Sequence, residues 1–243
     1  MKRILTIMMM VFLAVIAINA RTFVLCLGVS NYQDSELNLS QTTKDAKQFK
    51  AVMGNHTGDI SILTSSYANK ANILEKLKAL CNRAQKGDKI VLFFSGHGYP
   101  GGILAYDKTI TYQEINDMLV RSEASAKICF VDACHAGSVS QVRDQSKTYK
   151  APTTGNIIYM MSSRADEYSA EHPWMGHGFF TQSLLKGLRG KADANGDRKL
   201  TIMELFNYVY NDVQQTTSKM KTSQHPQLIG VKEMAETVIA EWK

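Results

Sequence analysis

Lys89-Ile90-Val91-Leu92-Phe93-Phe94-Ser95-Gly96-His97-Gly98 and Lys127-Ile128-Cys129-Phe130-Val131-Asp132-Ala133-Cys134-His135-Ala136-Gly137 decide the reading of this 243-residue chain. Each opens with a continuous Val/Ile/Leu/Phe-rich run and ends in small and polar residues. Runs of that length are those of strands buried on both faces of a mainly parallel sheet. In open α/β sheets the ligand crevice lies beyond the carboxyl ends of such strands. One strand therefore delivers an imidazole to that edge and the other a thiol. A thiol becomes nucleophilic near neutral pH when a base or positive charge stands beside it, so the pair points to a cysteine nucleophile with a histidine partner.

Outward from these runs, Thr22 to Val29 reads as a first strand, and Asp59 to Leu63 as a second. Ala46, Phe49, Val52 and Met53 share a helical face within Thr42–Gly54. Ile73, Leu74, Leu77, Leu80, Cys81 and Ala84 give a second helix, with Asn69 near its start and Gly87 after its end. Ile115, Met118 and Leu119 mark a third. Ile157 to Met161 is a further strand, and Phe179 to Leu188 and Leu205 to Val213 are further helices. The alternation predicts a doubly wound α/β layer, an α-β-α sandwich with a mainly parallel sheet of about six strands. From His135 to Asn156 no apolar period survives, and a loop of that length in a compact domain is often functional.

Lys2 and Arg3, an apolar stretch from Ile4 to Ile18, and Ala17-Ile18-Asn19-Ala20 have the form of an export signal cleaved after Ala20. The stretch holds 15 residues, short of the roughly 18–20 of a spanning helix. The expectation is a signal over residues 1–20 and one domain over 21–243, in the periplasm, at the cell surface or secreted, with no stable membrane span. The formal charge of +6 becomes +4 without Lys2 and Arg3. The basic residues are dispersed, which argues against nucleic-acid binding; a monomer is expected. The spacing of the four cysteines does not resemble a disulfide framework. Cys26, Cys81 and Cys129 read as buried free thiols, and Cys134 stands apart because a strand end precedes it.

Together the pieces resemble the caspase-like cysteine peptidases, metacaspases and their bacterial relatives in particular. The likeness is carried by Phe93-Phe94-Ser95-Gly96-His97-Gly98 and Phe130-Val131-Asp132-Ala133-Cys134-His135-Ala136-Gly137. Leu27-Gly28-Val29-Ser30-Asn31-Tyr32, Lys44-Asp45-Ala46 and Gly176-His177-Gly178-Phe179-Phe180-Thr181 support it. It extends over about Thr22 to Gln227 and implies an endopeptidase needing no cofactor. Cys134 would be the nucleophile, His97 its acid/base partner, and the backbone N–H groups of Gly98 and Cys134 the oxyanion donors. His135 is a weaker alternative base, and His177 suits a structural or substrate-side role.

The resemblance to metacaspases also implies an acidic S1 pocket formed by Asp45, Ser95 and Asp132, with Thr42 as a fourth member. Carboxylates there suit Arg or Lys at P1, whereas animal caspases use arginine to accept Asp. Asp45 also suits the first turn of a helix on charge grounds. Arg143, Lys147 and Lys150, in the polar loop of about residues 136–156, are candidate self-cleavage points; a loop that nothing cuts is the alternative.

Asp193, Asn195, Asp197, Thr201 and Glu204 fall at positions 1, 3, 5, 9 and 12 of an EF-hand calcium loop, with Arg198 where glycine normally turns the chain. The same residues suit a turn followed by a helix with Thr201 as its N-cap. The acidic calcium cluster some metacaspases carry beyond the histidine has only Asp107 here, within Tyr99 to Lys108. Two other classes stay open: a catalytically silent caspase-like binding module, and a doubly wound small-ligand-binding domain. The second lacks a Gly-rich turn after its first strand and a Walker-type lysine.

Overall fold

The computed structural model describes residues 20–133, 143–144, 147–148, 155–163, 178–230 and 232–242. Its strands are β1 (Thr22–Gly28), β2 (Ile60–Thr64), β3 (Lys89–Ser95), β4 (Gly98–Tyr99), β5 (Gly102–Leu104), β6 (Thr109–Thr111), β7 (Ala126–Asp132), β8 (Arg143–Asp144), β9 (Lys147–Thr148), β10 (Ile157–Met161), β11 (Lys199–Thr201), β12 (Gln227–Gly230) and β13 (Val238–Glu241). The α-helices are α1 (Thr42–Met53), α2 (Lys70–Arg83), α3 (Tyr112–Arg121), α4 (Phe179–Lys186) and α5 (Ile202–Lys219). Six strands form the main sheet in the order β12-β10-β7-β3-β1-β2. All its pairings are parallel except β10 with β12. The predicted layer architecture is therefore the observed one.

Alternation explains why the strand sequences are apolar throughout. Leu25, Leu92, Cys129 and Tyr159 point to one face, where Ile73 and Leu77 of α2 and Ile115 and Leu119 of α3 cover them. Val24, Cys26, Phe93, Phe130 and Met160 point to the other, against Phe49 of α1, Leu184 of α4 and Leu205 and Val209 of α5. Phe49 stacks on Phe93 with ring centroids 4.4 Å apart. Each face is thus a separate core, and a polar residue inside β1, β3 or β7 would be buried whichever way it pointed.

The helix ends follow their local chemistry. Asn69 caps α2 by accepting from Asn72 N–H. Thr111 and Thr201 open α3 and α5 with reciprocal capping boxes to Glu114 and Glu204. Within the segment read as an unbroken polar loop, β8 and β9 pair as a short antiparallel hairpin. A second small sheet, β4-β5-β6, follows β3 directly. Among the described residues no helix is long and apolar enough to cross a membrane.

Candidate active site

The carboxyl edges of β3 and β7 are the starting point. These neighbours run in parallel, and their last residues, Ser95 and Asp132, face each other in register. Adjacent strands lie about 4.8 Å apart. Beyond them the chain reaches His97 on one side and heads towards Cys134 on the other. Gly96 N–H donates to the Asp132 carbonyl at 3.2 Å, tying the two exits together. Cys134 itself, His135, His177 and Lys150 lie outside the described residues, as do the side chains of Arg143 and Lys147.

Ala133, immediately before Cys134, is held on both backbone groups. Its N–H donates to Ser162 Oγ at 3.1 Å, and Ser162 Oγ donates to its carbonyl at 3.1 Å. Ser162 follows β10, and its own carbonyl accepts from Gln224 Nε2 at 2.8 Å. Three chain segments thus fix the point from which the cysteine departs.

His97 is half-buried. Its Nε2 lies 2.8 Å from the Leu37 carbonyl oxygen. A carbonyl only accepts, so Nε2 carries the hydrogen and Nδ1 is the basic nitrogen of the neutral ring. The His97 N–H donates to Tyr32 Oη at 2.7 Å. The His97 carbonyl accepts from Leu104 N–H at 2.9 Å, which hangs the β4-β5-β6 hairpins from the histidine turn. Gly98 is the first residue of β4.

The four S1 candidates come to the same edge. Ser95 Oγ donates to Asp45 Oδ2 at 2.9 Å. Asp132 Oδ2 accepts from Thr181 Oγ1 at 2.7 Å and from Thr181 N–H at 3.2 Å, in the first turn of α4. Asp45 is 2% exposed and Asp132 8%. Thr42 Oγ1 lies 3.0 Å from Ser30 Oγ, which accepts from Thr43 N–H and so serves the start of α1 in place of a side-chain cap from Gln41. The close approach of α1 to β1 depends on Gly28, where a Cβ would lie 2.4 Å from the Thr42 carbonyl oxygen. That approach carries Asp45 to the end of β3.

Cys26, Cys81 and Cys129 are free and buried, as expected. Burial pushes the Cys26 thiol up to about 12, with Lys50 pulling the other way. It pushes Cys81 up to about 11 against the charge of Lys127. Cys129 is also raised by burial. All three are protonated and inert at neutral pH.

The Asp193–Glu204 loop folds around its own oxygens. Asp193 accepts from Gly196 N–H at 2.9 Å and Arg198 N–H at 3.1 Å; Asn195 and Asp197 accept from the N–H groups of Asp197 and Lys199. Arg198 takes φ 65°, the left-handed conformation for which glycine is usual. Glu204 Oε2 is engaged by Thr201 N–H and Oγ1. Among the described residues no group of three or more His, Cys, Asp or Glu is gathered as for a metal ion.

Sequence reasoning did not assign roles to Tyr32, Leu37, Ser162 or Thr181. Tyr32 and Thr181 stood inside quoted motifs, and Ser162 follows an apolar run just as His97 does. Leu37 acts through its carbonyl and leaves no mark in the sequence.

The caspase-domain family model matches residues 21–233. Protein GSU0716 from Geobacter sulfurreducens has a similar structure, with a TM-score of 0.67 at 17% identity, over 92% of this chain and 100% of that one. Caspase-1 from Spodoptera frugiperda superposes with a TM-score of 0.64 at 15% identity, over 88% of this chain and 87% of that one. No curated protein matches in sequence.

Proposed function

The chain belongs to the caspase-domain family, a family of cysteine peptidases acting on peptides or proteins, and from that premise we propose that it is an exported endopeptidase cleaving after Arg or Lys through Cys134 and His97. The observation that carries the reading is the pairing of Ser95 with Asp132 at the ends of adjacent parallel strands. His97 and Cys134 each follow that pair by two residues.

In this reading the Cys134 thiol gives its proton to His97 Nδ1, the thiolate attacks the scissile carbonyl carbon, and the oxyanion is received by the N–H groups of Gly98 and Cys134. The C–N bond then breaks. The proton the leaving amine needs comes from His97 Nδ1, because Nε2 is committed to the Leu37 carbonyl. Water hydrolyses the resulting thioester and releases the acid, with the proton it loses returning to the imidazole. Asp45 and Asp132 supply the negative field for a cationic P1 side chain, with Ser95 and Thr42 as hydroxyl partners. The described donors to the two carboxylates, Ser95 and Thr181, are neutral.

The same preference makes Arg143, Lys147 and Lys150 points of self-cleavage, which intact-mass comparison of wild type with Cys134→Ala would reveal. No metal enters the scheme; the Asp193 loop is to be tested for Ca²⁺ separately. The decisive experiment is a fluorogenic panel with Arg, Lys or Asp at P1. Hydrolysis of the Arg and Lys substrates, lost in Cys134→Ala, supports the reading. Preference for Asp, or activity surviving in that variant, overturns it.

A further inference from the structure

The segment between β1 and α1 grips His97 at three places. Tyr32 Oη accepts from the His97 backbone N–H at 2.7 Å. The Tyr32 ring lies against the imidazole, with centroids 5.1 Å apart and planes at 41°. The Leu37 carbonyl takes Nε2. Tyr32 is itself buried, and its neighbours hold it in turn. Its N–H donates to Asn38 Oδ1 at 2.8 Å, Leu39 N–H closes the base of the segment on the Ser30 carbonyl at 2.8 Å, and Gln33 N–H reaches the Tyr106 carbonyl at 2.9 Å. The fit at the other side is equally close: a Cβ on Gly96 would lie 2.8 Å from Tyr32 Oη and 2.7 Å from Phe94 Cζ.

We propose that Tyr32 is the positioning residue of His97, holding its backbone and ring so that the Leu37 carbonyl selects the Nε2–H tautomer and Nδ1 faces the scissile bond. The catalytic consequence rests on the peptidase reading; the tether does not. In this scheme Tyr32 acts through the imidazole and the backbone of His97. Without its hydroxyl the His97 N–H loses its acceptor, and the turn Ser95-Gly96-His97 is left with the Val29 N–H bond to the Ser95 carbonyl as its described backbone tie to the β1–α1 segment. Asn38 acts one step further out, by fixing Tyr32.

Tyr32→Phe keeps the ring and removes the hydroxyl. Misplacing a catalytic group by about 1 Å costs up to about a hundredfold, so kcat on an arginyl substrate is expected to fall roughly ten- to a hundredfold with KM within about twofold. Asn38→Ala should act in the same direction and less strongly. A kcat unchanged in both variants overturns the proposal. A second readout does not need turnover: ¹⁵N spectra of the His97 imidazole should show the Nε2–H tautomer in the wild type and a mixture in folded Tyr32→Phe. Identical spectra overturn the tether. If the spectra change as expected while the wild type hydrolyses nothing in the panel, the tether stands and the peptidase reading falls.

Discussion

Asp88, just before β3 at the amino edge of the sheet, and Asp132, at the carboxyl end of β7, are both buried carboxylates, but their partners among the described residues differ in kind. Asp88 accepts from the backbone N–H groups of Arg21 and Gln85 at 2.8 and 2.9 Å, and pairs with the Arg21 guanidinium at 3.3 Å. Burial pushes its carboxyl up, yet these bonds and the cation outweigh that and hold it below its ordinary value. Asp132 is bonded by Thr181, and the neighbouring Asp45 by Ser95, through neutral donors. One edge neutralises a charge to fasten a strand; the other, in the proposed function, gathers charge for a cationic P1 side chain. If the proposed function holds, the same sheet separates stability from chemistry by edge, and substitutions at the two edges should read out in different assays.

The largest effect belongs to the carboxyl edge. His97→Ala should lower kcat roughly 10²- to 10⁴-fold, the usual worth of an acid/base group, with the thermal midpoint nearly unchanged. Asp45→Asn retains an acceptor for Ser95 but removes a charge; kcat/KM for arginyl substrates should drop roughly tenfold or more, and the gap to a neutral P1 should narrow.

At the amino edge the sign reverses: stability moves and turnover does not. Asp88→Ala leaves the Arg21 and Gln85 N–H groups without their acceptor and should cost about 1–3 kcal/mol in urea unfolding at pH 7. Because the folded-state value is depressed, Asp88 stabilises fully above the unfolded carboxylate range near 4 and the contribution fades as pH falls through the folded value. Between pH 7 and pH 3 the wild type should therefore lose more stability than Asp88→Ala. Equal losses would mean that Asp88 is not the group responsible. The smallest effect is in the Asp193 loop, where Asp193→Ala removes two exposed bonds and should cost under about 1 kcal/mol. Calorimetry with Ca²⁺ on the same pair of proteins tests the EF-hand spacing, a heat present in wild type and absent in the variant being the result that assigns calcium to it.

The comparison also explains what was legible in the sequence. β1, β3, β7 and β10 announce themselves because both faces of each are buried, and α2 because its apolar stripe recurs at helical spacing. β4, β5 and β6 are two or three residues long, too short for any period to accumulate. β12, Gln227-Leu228-Ile229-Gly230, is an edge strand, half-buried and ending in glycine, so neither continuity nor alternation marks it. His97 was visible because a strand end precedes it, and Asp45, Ser95 and Asp132 through family resemblance. Tyr32 looked like part of a polar turn because its role is a contact 65 residues away, and pairing across that distance is set by topology.

The account stands on Cys134 being the reactive thiol beside an imidazole held at the end of β3. Intact-mass and peptide mapping after exposure to an arginyl electrophile that captures cysteine nucleophiles tests this most directly. One adduct per chain, on Cys134, slowed in His97→Ala and outcompeting an aspartyl analogue, is the predicted result. An unlabelled Cys134, or label on Cys26, Cys81 or Cys129 instead, would contradict it.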